Sequence, residues 1–518
     1  MLPKSLLLLL LAAPLALSAA LTPLTLNNIT ALNTLRLPNP PAFSIPPPKD
    51  NTPLFISVAL CSDASPAPRF TIAEVDPSAS SDDNSPPQTL AGSEIVFHDG
   101  EGSYVGSFPN GAVLTIDTNG ATPGVPFEVG VSDTENLHAP PADLPLFGDT
   151  TSNQALLFSA PFLPLPDVPT PQYPNYTLPA ANMSQPPLPS SSAAGNLTLI
   201  LTPTSAGLGL ASSNRPRTGC FLSSQKTTGT IVSQKPWARD ARGWRMQWLV
   251  EGLIPQTNYT AYVVHDSAKV SGPIFFATKS AAFPCPLVHS LPYCPSIAYA
   301  VPLPQPPGSN AIGAASAYDA TTLPEAVSTP LLSYLANFTT VLTTFACGRD
   351  WYSPLMGCDD CQREYRAWLC SISFTRCSEP SPANPNGFTA TPAGPGETGG
   401  AASIATFPSP DGSPNQIILS ALLPIPTRAP LPPRNPFLPA LSPPTPYTAL
   451  LPCLEQCHAV DRACPPFIGF KCPSSGFNAG ASYGVGYVDG REGDKGSKGR
   501  GVAGVAGDRW GNVWCGMV

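Results

Sequence analysis

The chain has 518 residues, with 26 basic and 34 acidic side chains and a net charge of −8. No basic patch stands out, which argues against a nucleic-acid partner. Charged residues make up 12% of the chain, about half the usual share, while prolines number 69 and hydrophobic residues reach 42%, a composition of folded modules separated by stiff proline-rich connectors rather than of a simple disordered chain.

In chain order, residues 1–20 read as a secretory signal peptide: Lys4, an apolar run from Leu6, and the small residues Ser18, Ala19 and Ala20 at the expected cleavage site. Retention as an anchor is the lesser reading, because the run is shorter than the roughly 20 residues a bilayer span needs. The C-terminal "DRWGNVWCGMV" lacks the hydrophobic tail of a lipid-anchor signal. The mature protein is therefore expected in the secretory pathway and outside the cell. Six Asn-x-Ser/Thr acceptors, at Asn28, Asn175, Asn182, Asn196, Asn258 and Asn337, fit that route and mark surface positions.

Residues 21–160 carry short alternating runs bounded by turn residues, among them "LFISVAL" (54–60), "AVLTID" (112–117), "FEVGVS" (127–132) and "ALLFSA" (155–160). This spacing predicts a first antiparallel β-sandwich region. Residues 161–190 form a Pro-rich connector. Residues 191–280 predict a second β-sandwich region, in which "WLVEGLIPQTNYTAYVV" (248–264) is similar to the corner of a fibronectin type III sandwich. There Tyr259, Ala261 and Val263 point inward, the Tyr259 hydroxyl bonds back to the backbone, and Asn258 faces out. Cys61 and Cys220 are the only cysteines before residue 285. Free thiols are uncommon in an oxidising compartment, so the two are expected to pair and to tie the two β segments into one unit.

Residues 281–518 are expected to form a cysteine-rich, mainly helical domain. Twelve cysteines fall there: Cys285, Cys294, Cys347, Cys358, Cys361, Cys370, Cys377, Cys453, Cys457, Cys464, Cys472 and Cys515. Helical spacing appears over 326–347, 358–370 and 451–463. A Pro/Ser/Gly-rich insertion, 378–450, is expected to be a disordered loop, and a glycine-rich stretch precedes Trp510. With fourteen cysteines in all, an even number, seven structural disulfides are the default.

The segment "CDDCQREYRAWLC" (358–370) tests that default. A zinc site built on Cys358-x-x-Cys361 wants a second close pair or histidines, and His458 alone does not supply them. Thiol exchange wants the pair at the head of a helix in an α/β fold. Neither context is present, so no metal and no cofactor is expected. The five histidines, His98, His138, His265, His289 and His458, stand apart in the sequence; no nucleophile elbow and no phosphate-cradling loop occurs. Asp359 and Asp360 diverge by about 100° on a helix and share no site. The chain does not read as an enzyme. On helical spacing Cys361, Tyr365, Trp368 and Leu369 share one face, while Gln362, Arg363 and Arg366 lie elsewhere. The aromatic residues either pack a small core around the disulfides or border an interface presented by Arg349, Asp350, Asp359, Asp360, Arg363, Glu364 and Arg366, and the two readings are compatible.

The run "CGRDWYSPLMGCDDCQREYRAWLCSISFTRC" (347–377), a long loop, and "CLEQCHAVDRACPPFIGFKC" (453–472) resemble the fungal stretch-activated, calcium-permeable channel component named for mating-induced death. The elements that carry the resemblance are Cys358, Cys361, Tyr365, Trp368, Leu369, Cys370, Arg376 and Cys377. The cysteine-rich half is also similar to the auxiliary subunit of the animal sodium-leak channel. The resemblance implies a regulatory subunit of a plasma-membrane calcium channel, held at the extracellular face through a large four-repeat pore-forming partner. A pore formed by this chain alone is disfavoured, since no segment after residue 20 is long and apolar enough to span as a helix. A cell-surface ligand-binding or adhesive glycoprotein is the competing reading.

Overall fold

The computed structural model describes residues 21–379, apart from 50–51, 77–88, 119, 121–123, 167–172, 183–184, 191–194, 209–214 and 307–316, together with 404–407, 416–419, 422–425, 447–473 and 482–483. The expected signal peptide, most of the 378–450 insertion, the glycine-rich stretch and Cys515 lie outside these residues. What is described is mostly β-sheet with few helices, in two compact units. The first is Met1–Pro140 with Ala211–Gln225 and Ser267–Val270; the second is Pro141–Leu210 with Lys226–Asp266 and Ser271–Val518.

The first unit pairs two five-stranded sheets. One runs Thr22–Pro23, Ala42–Ile45, Ala112–Asp117, Arg69–Glu74, Ser93–Glu94; the other runs Asn28–Asn33, Pro126–Ser132, Leu54–Leu60, Glu101–Gly106, Phe97–His98. Alternation aims Leu54, Ile56, Val58, Leu60, Phe127, Val129 and Val131 at Phe70, Ile72, Leu114 and Ile116 of the opposite sheet, and all are buried. Each such side chain stabilises the fold by roughly 1.5–3 kcal/mol. Alternation alone leaves the other face of Leu54–Leu60 in water, yet Ser57 and Ala59 are buried too. The chain covers them with residues 133–140 and with helix α1 (Gly219–Ser223). Thr218 caps α1 by accepting from Phe221 N–H, donates its hydroxyl to the Leu60 carbonyl at 2.6 Å, and sets Cys220 against Cys61, to which it is bonded. Cys61–Cys220 thus closes inside the first unit rather than between two β segments.

The second unit has a four-stranded sheet, Leu146–Thr150, Gln154–Phe158, Gly243–Glu251, Thr230–Asp240, over a three-stranded one, Leu197–Pro203, Asn258–His265, Lys269–Ala277. Trp248, Val250, Leu199, Leu201, Tyr259, Ala261 and Val263 fill the space between them. The Tyr259 hydroxyl accepts from the Ile254 N–H at 2.9 Å, and Asn258 is exposed. Residues 155–158, expected in the first sandwich, instead pair with Gly243–Glu251, Leu157 opposite Trp248. The back of the same sheet, through Leu156, Phe158 and Leu249, packs on Cys285, Leu287, Ala300 and Cys377 of the cysteine-rich region. The two units therefore part between Pro140 and Pro141, and the cysteine-rich region lies in the second of them.

The cysteine-rich region contains helices α2 (Glu325–Leu342), α3 (Cys358–Ser373) and α4 (Leu454–Ala463). Strands accompany them: Leu287–Val288 pairs with Tyr299–Ala300, and Arg376–Ser378 lies against Tyr447–Leu450, which also pairs Leu422–Ile425. Inside the insertion expected to be disordered, Ile404–Phe407 also pairs with Gln416–Leu419. Its cystines among the described residues include Cys285–Cys377, Cys294–Cys370, Cys347–Cys358, Cys361–Cys464 and Cys457–Cys472; Cys453 is disulfide-bonded as well.

One buried ion cluster joins sheet to cystines. Asp149, fully buried, meets Lys279 Nζ at 2.8 Å and Arg376 Nε at 2.9 Å. Burial alone would raise its pKa, but the Arg376 and Lys279 charges and hydrogen bonds outweigh it and hold the carboxyl down at about 2. A carboxyl depressed in the folded state stabilises it above the unfolded value near 3.8, and that contribution drains away as pH falls toward 2. Asp149→Asn leaves two cations without their counter-charge, and the expected loss is about 3–5 kcal/mol. Acid titrations followed by circular dichroism should show an unfolding component between pH 4 and 2 in the parent chain that the variant lacks. A variant as stable as the parent at pH 7 contradicts this role.

Candidate functional site

Helix α3 begins where Gly357 N–H donates to the Asp360 carboxylate at 2.8 Å, and Asp359 and Asp360 sit in its first turn, where the helix dipole favours negative charge. Cys358 and Cys361, one turn apart, are buried and bonded to separate partners, Cys347 and Cys464. Tyr365 stacks on Phe338 of α2 with ring centroids 3.5 Å apart. Trp368 meets the edge of Phe470 at 4.9 Å and donates its indole N–H to the Tyr483 hydroxyl at 2.8 Å. Leu369 and Cys370 enter the core shared with Tyr293, Leu331 and Phe374. The aromatic residues of the helix thus pack inward, around the cystines.

The opposite side of α3 is not free either. Gln362 and Arg366, placed outward by helical spacing, are both buried. Gln362 donates to the Pro179 carbonyl at 2.8 Å and to Thr339 Oγ1 at 2.7 Å. Arg366 donates to the carbonyls of Ala181 (2.7 Å), Ala180 (3.0 Å) and Tyr293 (3.2 Å). No carboxylate among the described residues pairs with it, and burial draws its pKa down to about 10. Arg366 is therefore withdrawn from the candidate interface: it pins the 173–181 part of the proline-rich connector, which is a strap laid along α3 and not a spacer.

The remaining candidates stay near the surface. Arg363 bridges Asp360 (2.7 Å) and Glu364 (3.3 Å). Arg349 pairs with Asp350 at 2.8 Å and lies 5.6 Å over the Tyr173 ring. Asp359 is exposed. Apart from Asp359, these charges pair with one another and form no unpaired patch.

Sequence spacing nominated these charges and missed the loop that Arg349 and Asp350 open. The Cys347–Cys358 bond closes a loop of 11 residues' separation. Its inner side is anchored: the Tyr352 hydroxyl lies 2.6 Å from the Gly357 carbonyl and 2.7 Å from that of Ala463, and its ring meets Phe345 edge-on, which in turn faces Phe467. Its outer side presents Trp351 and Leu355, each 84% exposed, beside Met356. Two large apolar side chains held in water by a covalently closed loop are unusual for a protein surface. The available sequence signal was the apolar "WYSPLM" between two cysteines too close together to enclose a core. The six glycosylation acceptors, Asn28, Asn175, Asn182, Asn196, Asn258 and Asn337, are all exposed.

Two β-sheet units, the second carrying a cystine-stapled three-helix region with an exposed aromatic loop, define a disulfide-rich, mostly β module. The chain belongs to the Mid1 family of stretch-activated Ca2+-permeable channel components, whose profile matches residues 54–497. It is 38% identical over 425 residues to the stretch-activated cation channel MID1 of Cryptococcus neoformans var. grubii, covering 77% of this chain and 64% of that protein. It is 28% identical over 263 residues to the stretch-activated cation channel yam8 of Schizosaccharomyces pombe, covering 49% and 43% of the two chains. To the stretch-activated cation channel MID1 of Saccharomyces cerevisiae it is 27% identical over 239 residues, covering 43% and 34%. The chain thus spans less than two thirds of the length of each of these relatives.

The corrected role of Arg366 separates it sharply from Arg363. Arg366→Met leaves three carbonyls unpaired and should cost at least about 3 kcal/mol, read as a lower melting temperature and poor secretion. Arg363→Ala removes surface ion pairs only and should stay within about 1 kcal/mol of the parent. Equal melting of the two variants would show that the strap is not held by Arg366.

Proposed function

We propose that this protein is an extracellular, N-glycosylated regulatory subunit of a plasma-membrane calcium channel, which promotes calcium influx by seating its Cys347–Cys358 loop on a large four-repeat pore-forming subunit. The observation that carries the reading is the exposure of Trp351 and Leu355 on a loop fixed by a cystine and by Tyr352. A rigid, exposed apolar tip that follows directly on a paired Arg349–Asp350 offers what a protein contact needs, an apolar centre with polar neighbours. Membership of a channel-component family, and relatives named as stretch-activated cation channels, supply the context.

No helix among the described residues is long and apolar enough to cross a membrane. The longest, α2, has 18 residues with Pro330 inside, and its apolar stripe Val327, Leu331, Leu335 and Leu342 is already packed in the core. On this reading the conduction path belongs to the partner, and the leader at 1–20 serves secretion. The second sheet pair is read as fibronectin type III-like on the strength of the Tyr259 corner, and the cysteine-rich part as akin to the auxiliary subunit of the animal sodium-leak channel. No catalytic role is proposed.

The test is affinity purification of tagged full-length protein from detergent-solubilised membranes, comparing the parent with a Trp351→Ala, Leu355→Asp double variant. The parent should bring down a very large four-repeat polypeptide, and the double variant at least tenfold less of it at equal surface abundance. Because both side chains are in water already, folding and secretion should be unaffected. Undiminished recovery moves the contact elsewhere. Recovery of wall or secretory proteins alone makes the chain a surface adhesive glycoprotein instead.

A further inference from the structure

The outer face of the Leu54–Leu60 sheet in the first unit holds polar groups that neither the core nor the proposed contact uses. Glu128 and Glu101 both lie opposite Ala59, one on each flanking strand. Their Cα atoms are therefore about 10 Å apart on one face, with only a methyl group between them. Two residues along, Ser57 stands opposite Gly130. A Cβ at Gly130 would come within 2.7 Å of Ser57 Oγ and 3.2 Å of two atoms of the His138 ring, so the glycine is what lets the imidazole lie against the sheet.

His138 reaches this position from the 133–140 segment. Its Nδ1 is 2.7 Å from Ser57 Oγ, and its N–H donates to Asn136 Oδ1 at 3.0 Å. Asn136 in turn hydrogen-bonds Glu101, whose pKa burial raises against the opposing pull of His138 and Asn136. The His138 side chain is 1% exposed, yet its Nε2 has no hydrogen-bond partner among the described residues. That nitrogen is aimed at Glu128, with Oε2 at 3.6 Å. The separation is too long for a hydrogen bond. It is close to the edge of about 3.4 Å that two ligands subtend when each stands about 2.1 Å from a tetrahedral zinc ion.

We propose that this cluster is a divalent transition-metal site, with His138 Nε2 and the Glu128 carboxylate as its two protein ligands, solvent completing the coordination, and zinc as the ion it fits best. An imidazole with a carboxylate suits zinc; calcium takes oxygen ligands only. The Ser57 contact to Nδ1 fixes the ring and leaves Nε2 free to ligate, the usual outer support of a metal-bound histidine. Glu128, 18% exposed, is the side from which an ion enters. The sulfurs of Cys61 and Cys220 lie within 4.8 Å of Glu128 but are bonded to each other and offer no thiolate. The Ser57–His138–Glu128 line is not a nucleophile and its base, because Ser57 is 1% exposed and no substrate reaches it. Metal binding here ties the 133–140 segment to the sheet.

The experiment is calorimetric titration of Zn2+ into the secreted full-length glycoprotein, purified without a histidine tag and stripped with a chelator. The parent is compared with Glu128→Gln, which keeps side-chain shape, and with Glu135→Gln, whose exposed carboxylate pairs with Lys269 instead. One equivalent of zinc should bind the parent and the Glu135 variant alike, at least tenfold weaker binding should follow Glu128→Gln, and excess Ca2+ should not displace it. Zinc should also raise the melting temperature of the parent and not that of Glu128→Gln. Absence of zinc binding to the parent, equal affinity in Glu128→Gln, or displacement by Ca2+ would each overturn the assignment.

Discussion

Three cystines leave one helix, α3, and each ends on a different element: Cys358 on the loop before it, Cys361 on the residue after α4, and Cys370 on the turn that follows Leu287–Val288. The rest of the cysteine-rich region is arranged around that constraint. A Cys-x-x-Cys pair on a helix could have closed on itself for redox work or opened toward a metal. Here its two members are buried and committed to partners 11 and 103 residues away, which is the behaviour of a structural hub. The longer of these closures removes about 4–5 kcal/mol of chain entropy from the unfolded state on a loop-closure account.

The same constraint explains how the chain carries the 378–450 insertion. Arg376–Ser378 at its start lies antiparallel to Tyr447–Leu450 at its end, and Cys377, inside that pairing, and Cys453, just beyond it, are both in cystines. The ends of the insertion are therefore held together whatever its length. Loop-closure entropy rises only by about 0.6 kcal/mol for each doubling of loop length, so a long proline-rich segment is cheap to accommodate. Arg376, adjoining Cys377, is equally committed, since its guanidinium enters the Asp149 cluster. An Arg-Cys dipeptide that reads from sequence as a surface charge next to a staple is in fact the seam between sheet and cystine region.

How far local pattern reaches is clear from individual residues. Alternation located Leu54, Ile56, Val58 and Leu60 on the core, and Tyr259, Ala261 and Val263 likewise, because one buried face is a period-two property of the strand itself. It could not show that Ser57 and Ala59, or Arg245 and Gln247 on Gly243–Glu251, would be covered as well. Their cover comes from residues 80 or more positions away along the chain for Ser57, and about 40 away for Gln247, where His289 and Ser290 supply it. The failure at Arg366 has the same origin. A helical wheel assigns a guanidinium to water by default, but backbone carbonyls of a strap 185 residues upstream solvate it instead. Proline richness at 161–190 read as a spacer for a related reason. Composition reports stiffness, whereas docking depends on Tyr176, Leu178 and Ala181 meeting α2, α3 and their cystines.

Exposed apolar residues and buried polar ones are the two departures from simple partitioning, and this protein has both. In the second unit Arg349, Asp350, Asp360, Arg363 and Glu364 pair with one another, and Trp351 and Leu355 are the most exposed large apolar side chains among the described residues. In the first unit His138 Nε2 is buried without a hydrogen-bond partner among the described residues. A buried imidazole nitrogen without a partner costs stability unless something binds it, just as a rigid, solvated tryptophan does unless something covers it. Both costs are carried by backbone that is otherwise well determined, by the Cys347–Cys358 closure in one case and by the Gly130 cradle in the other. A folded chain that maintains such positions has its binding surfaces prepared in advance, so that little ordering entropy is lost when a partner or an ion arrives.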